Sequence, residues 1–81
     1  MQHSIFKTSD IILAACLKVH QHTMVSIEIS GTKGTFVFSD VDEDLLNEYD
    51  LGNLRVEPVT FNNTIKQLTT SVRRMINSQH G

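Results

Sequence analysis

The feature that most restricts this chain is a polar opening, Thr8-Ser9-Asp10, that runs directly into seven consecutive apolar residues, Ile11 to Leu17. Ser, Thr and Asp accept hydrogen bonds from the unpaired amides of a helix's first turn, and an acid there also favours the positive end of the helix dipole. The stretch therefore predicts a helix from about Ser9 to Gln21. Placed at about 100° per residue, only Asp10, Ala14, Lys18 and Gln21 fall on a wet side. So apolar a helix must be largely buried, and other elements must pack on it. It is still too short to cross a membrane, which takes roughly 20 apolar residues.

The elements that could cover it follow in order. Ser4 to Lys7 reads as a short strand leading into the helix. From Met24 to Ser30 the pattern alternates, with Val25, Ile27 and Ile29 on one side and Ser26, Glu28 and Ser30 on the other. Period two is the mark of a half-buried strand. Gly31-Thr32-Lys33-Gly34 is a hairpin turn, since glycine permits the positive φ that such turns need. Thr35 to Ser39 is the return strand. With the loop centred on Thr32 and Lys33, Ile29 faces Phe36, Ile27 faces Phe38, and Glu28 faces Val37 on the opposite side. Asp40, with Glu43 three residues on, predicts the start of a second helix from Val41 to Tyr49, and Gly52 predicts its left-handed end. Leu54 to Val56 reads as a last strand with Arg55 outward. Glu57-Pro58 opens a third helix, because proline in the first helical position sacrifices no hydrogen bond. Within it Phe61, Ile65, Leu68, Val72 and Met75 recur at spacings of four, three, four and three, a narrow apolar stripe. The tail, Ser78 to Gly81, is expected to fray.

The expected order is strand, helix, strand, strand, helix, strand, helix. With one apolar sheet face, this is an α+β fold: a small two-layer domain whose mainly antiparallel sheet of three to four strands carries helices on one face. Eighty-one residues make one domain, with an ordered core from about residue 4 to 77. The single cysteine allows no intrachain disulfide and suits a reducing, cytoplasmic setting. Met1-Gln2-His3-Ser4 lacks the basic segment and cleavage site of a secretory signal.

The opening F-K-T-S-D-x-x-L-A-A-x-L, carried here by Phe6 to Leu17, resembles that of an uncharacterised domain-of-unknown-function family of short proteins from microbes and their mobile elements. Gly34-Thr35-Phe36-Val37-Phe38-Ser39-Asp40, Leu54-Arg55-Val56-Glu57-Pro58 and the apolar spacing of the last helix extend the resemblance from about Phe6 to Ile76. The longer Asn62-Asn63-Thr64 run and the scarcity of Glu in the last helix depart from it. Such a family has no established activity, so the resemblance implies no catalytic or binding residue.

Candidate chemistry is sparse. Cys16 and His20 stand four apart, a spacing at which two side chains can share a metal, and His22 and His3 together would complete a set of four. The plainer reading is that Cys16 lies with Ile12 and Val19 on an apolar face as a small hydrophobe, while His20 interacts with carbonyls at the helix end. No cofactor or metal is expected, and no catalytic residue is assigned, because no nucleophile, base and orienting group fall together. Asp40, Asp42, Glu43 and Asp44 sit where a helix N-terminus attracts acids, without calcium-loop spacing. The two-glycine turn joins strands and carries no phosphate-loop motif.

Charge is unevenly spread. Residues 39–57 hold seven acids and one base, a net −6, and the rest of the chain is +4. On the third helix Lys66, Arg73 and Arg74 lie opposite the apolar stripe, among Thr70 and Asn77. Such a row is a solvated face in most helices, but it could also meet phosphate. The sequence therefore favours a non-enzymatic protein-interaction module, self-associating as a homodimer. Its candidate surface is Phe61, Ile65, Leu68, Val72, Met75 and Ile76 on the third helix, whose spacing is that of a helix-pair seam. The alternative is a nucleic-acid-binding accessory protein that uses Lys66, Arg73 and Arg74. No membrane partner is expected.

Overall fold

The computed structural model describes residues 4–80, the last two by their backbone alone. Strand β1 (Ile5–Thr8) leads into helix α1 (Ile11–Val19). Strands β2 (Met24–Ser30) and β3 (Lys33–Ser39) form a hairpin, and helices α2 (Glu43–Asp50) and α3 (Pro58–His80) follow. The sheet is antiparallel with β3 in the centre, in the order β1-β3-β2. The fold is the expected α+β one, with three strands. Among the described residues no helix is long and apolar enough to cross a membrane.

Each helix starts and stops for a local reason. Asp10 has extended backbone and accepts from the amides of Ile12 (3.0 Å) and Leu13 (3.4 Å), which caps α1. At the other end Gln21 takes a left-handed φ of 67°, and the amides of Gln21 and His22 bond back to the carbonyls of Lys18 and Leu17. That is a Schellman closure, so α1 stops short of the predicted Gln21. Helix α2 starts later than predicted. Asp40 has φ 55°, a conformation closed to an N-cap, and its amide and carboxylate bond to the backbone of Ser4 instead. Asp42 is the cap, accepting from Asp44. Gly52, at φ 75°, ends α2 as predicted. Helix α3 is capped by the Glu57 carboxylate, which accepts from Val59 (3.1 Å) and Thr60 (2.6 Å) and is held below the usual carboxylate range by the Thr60 bonds. Helix α3 continues to His80, through Ser78 to His80 of the tail expected to fray; Gly81 lies outside the described residues.

The hairpin register differs from the expected one by two residues. Ile27 pairs with Phe36, Ile29 with Gly34, and Glu28 with Thr35. The cause is the loop, which is Gly31-Thr32 flanked by Ser30 and Lys33, with positive φ only at Gly31, the mark of a II′ turn. A two-residue shift preserves facing, so Phe36 and Phe38 still point to the helices and are 2% and 0% exposed. A bulge at Val25 then places Met24 opposite Phe38, which leaves Val25 exposed rather than aligned with Ile27 and Ile29.

The core lies between this face and the helices. Ala14, Ala15, Leu17, Phe36, Phe38 and Leu68 form it, with Phe6, Met24, Ile27, Leu45, Phe61 and Val72 among the residues packed around them. Helix α1 packs against α3, and the Tyr49 hydroxyl donates to the Asp10 carboxylate (3.0 Å), which ties α2 to its first turn. Ala14, assigned to the wet side by the helical wheel, is 0% exposed for that reason, whereas Ile12 is half-exposed. Leu54 to Val56 forms no strand. Its inward and outward alternation is as predicted, with Leu54 and Val56 half-buried and Arg55 exposed, but His20 Nε2 donates to the Arg55 carbonyl (3.1 Å). The segment thus lies against the end of α1, not along a sheet edge. The far sheet face is not wholly wet either. Val37, opposite Lys7 and Ser26, is 5% exposed, and the Lys7–Glu28 ion pair (3.2 Å) spans the central strand beside it.

Candidate binding surfaces

Helix α3 is 23 residues long, about 34 Å of helix, and its two faces have different fates. On the inner face Leu68 is 1% exposed, and Phe61, Ile65 and Val72 are partly buried against the core. Val72 reaches the strand itself: a Cβ built on Gly34 would stand 2.9 Å from its Cγ2. Met75 and Ile76, farther along, are half-buried. From Phe61 to Val72 the stripe expected for self-association thus packs against the chain's own core, Leu68 fully and the others in part.

The outer face carries Lys66, Arg73 and Arg74, all exposed, on a helix that contains no Asp or Glu from Pro58 to His80. The structure adds a fourth cation. Lys18, in the last turn of α1, lines one shallow concavity with Lys66, Gln67, Thr70, Ser71 and Arg74. A second concavity continues along the helix through Thr70, Arg73, Arg74, Asn77 and Ser78. Among the described residues no ion pair ties any of these four cations to a carboxylate; the ion pair that is seen joins Lys7 and Glu28 across the sheet. Sequence reasoning placed Lys18 on a wet face but could not bring it to α3, since that needs the packing of the two helices. Of the acids of 40–57, six lie on α2 and its N-terminal flank and the seventh, Glu57, caps the N-terminus of α3; none lines either concavity.

A third feature lies where α3 extends past the first turn of α1. Ser9, Ile11, Gly34, Phe36, Thr69, Val72, Arg73 and Ile76 enclose an open slot of about 320 Å³. Its floor and walls are mostly apolar, and Arg73 supplies the charge in its lining.

The Cys16–His20 pair is not assembled. Cys16 is 6% exposed, and burial, with the nearby Asp10 charge, pushes its thiol up. The His20 ring is directed to the Arg55 carbonyl. His3 lies outside the described residues, and among those described no three His, Cys, Asp or Glu side chains group as metal ligands. No family model matches the chain, nor does any curated protein or solved structure.

Proposed function

We propose that the domain is a non-enzymatic binding module that holds a nucleic-acid backbone against the outer face of α3. The observation that carries this reading is the clustering of Lys18, Lys66, Arg73 and Arg74 on an acid-free surface, unpaired among the described residues. Surface cations in a chain of net charge −2 are ordinarily balanced by neighbouring acids. Here the acids are gathered elsewhere, and the cations are interleaved with neutral donors, Gln67, Thr70 and Asn77, that also bond phosphate oxygens. No aromatic side chain lies among them, so the contact is to the backbone and tolerates sequence. A cytoplasmic site of action fits the free, buried thiol.

Protein interaction is the reading the sequence favours first; the inner stripe of α3 that it names is partly used by intrachain packing, while Met75 and Ile76 stay half-exposed outside the core cluster. The phosphate reading is tested by fluorescence anisotropy with labelled single-stranded and duplex oligonucleotides across a salt series. Four neutralised phosphates give log K a slope against log salt of about −3.6 on duplex and about −2.8 on single strands. Lys66→Ala with Arg74→Ala removes two contacts and halves that slope. Absence of any binding at low salt rejects the reading.

A further inference from the structure

We propose that the slot between α1 and α3 receives Leu51 of a second copy of this chain, in a two-fold dimer where Arg73 of each protomer meets Asp50 of the other. The slot is a hole with a charge at its rim. Phe36 floors it, Ile11, Val72 and Ile76 wall it, and Arg73 lines it with no acid beside it. At about 320 Å³ it lies at the lower end of the range for small-molecule pockets, about 300–1,000 Å³, and it is open to one side. An apolar side chain inserted from a protein surface suits such a shape, and an adjacent carboxylate suits Arg73, whose planar fork favours carboxylates.

The chain carries a matching knob. Leu51 is 71% exposed, the highest value among its exposed large hydrophobic residues. It follows Asp50 directly and sits in the closure that ends α2. There the amides of Gly52 and Asn53 bond to the carbonyls of Tyr49 and Glu48, at 3.0 and 2.9 Å. The knob is thus held in place before any contact forms, which lowers the ordering cost of association.

Knob and slot are close neighbours in the fold. The Tyr49–Asp10 hydrogen bond (3.0 Å) fixes the end of α2 at the first turn of α1. Ser9 and Ile11, from that same turn, line the slot. A two-fold contact is self-complementary, so each copy must offer knob and hole within one patch, and here both flank a single helical turn. Ile12, on that turn, is 50% exposed and adds apolar surface to the patch. Charge favours the same occupant. Asp50 belongs to the −6 segment and Arg73 to the +4 remainder, so two copies of a chain with equal net charge still present opposite signs at the contact.

This proposal does not rest on the phosphate reading: the two share Arg73, but Lys66, Arg74 and Lys18 do not line the slot. Its test is the mass of the full chain by sedimentation equilibrium at roughly 100 µM, where a micromolar interface is saturated. The unmodified chain is expected at twice its 9.1 kDa. Leu51→Asp, Asp50→Arg and Arg73→Asp each change an exposed side chain and are each expected at 9.1 kDa, with unchanged circular dichroism. Combining Asp50→Arg with Arg73→Asp reverses both charges and is expected to restore the dimer. A monomeric unmodified chain overturns the proposal. So does a dimer that survives Leu51→Asp, or a charge reversal that restores nothing.

Discussion

Gly34→Ala is the change whose sign depends most directly on the packing of α3. In a strand interior, replacing Gly by Ala stabilises by about 0.5–1 kcal/mol where the site has room, because glycine loses more freedom on folding. Gly34 has no positive φ that would forbid the side chain. The obstacle is Val72, whose Cγ2 and Cγ1 lie 2.9 and 3.1 Å from the position the new Cβ would take. Valine in a helix is confined almost wholly to one χ1 rotamer, so neither methyl can swing aside. The helix must then lift from the strand, and overpacking of this kind costs about 1–3 kcal/mol. Subtracting the strand gain leaves a net loss of about 0–2.5 kcal/mol, centred near 1. Urea unfolding followed by circular dichroism measures it. With a slope of about 1 kcal/mol/M for a chain this small, the midpoint falls by about 1 M at the centre of that range. Val72→Ala removes both methyls, so the double variant should recover most of the Gly34→Ala loss, a coupling of about 1 kcal/mol between residues in contact. A Gly34→Ala chain more stable than the unmodified one, by the about 0.5–1 kcal/mol of an unobstructed strand site, refutes the close approach of α3 to β3. The floor of the slot would go with it.

Two further predictions concern groups that burial perturbs. Tyr49 is the one tyrosine and the chain has no tryptophan, so absorbance near 295 nm reports it alone. Burial, then its hydrogen bond to Asp10, pushes its pKa up to about 12. A raised phenol pKa means that the neutral form is favoured by folding: that stability is complete below about pH 10 and is lost as pH rises through about 12. Asp10→Ala should bring the titration midpoint down towards 10, and it should also cost about 1 kcal/mol through the lost cap of α1. Cys16, buried and with its thiol pushed up, should resist a thiol reagent in the native protein and react fully in urea; rapid native labelling would show that α1 is not covered as described.

What could be read from the residues alone divides along a physical line. Local signals were legible. Asp10 announced α1, Gly52 ended α2, Pro58 opened α3, and the alternation of Phe36 and Phe38 placed both on the buried face. Where two local signals competed, tertiary packing decided. Gly31 and Gly34 both offered a turn, and the close approach of Val72 takes Gly34 into the strand, leaving the loop to Gly31-Thr32. Asp40 and Asp42 both offered a cap, and the bonds of Asp40 to Ser4 leave α2 to Asp42. Leu54 to Val56 had a strand's alternation, but its backbone found a partner in His20. The candidate surfaces followed the same rule. Lys66, Arg73 and Arg74 share one helix and could be grouped by periodicity, whereas Lys18 and the slot exist only where two helices meet.

Helical geometry also explains why Arg73 belongs to both proposed surfaces. Successive side chains turn by about 100°. Val72 points inward at Gly34, and Arg74 lies with Lys66 and Lys18 on the outer face. Arg73 stands between them and lines both the slot and the outer concavity. One guanidinium cannot be neutralised by Asp50 and by a phosphate at once. Dimerisation through the slot therefore withdraws one cation in four from the phosphate row, and the two surfaces oppose each other weakly. The opposition is small because Lys18, Lys66 and Arg74 remain, and it is reciprocal because linkage between two binding events always is. A long helix shared between a short apolar neighbour and solvent brings this about: it gives its inner stripe to the core and leaves the residues at its margin to serve two contacts.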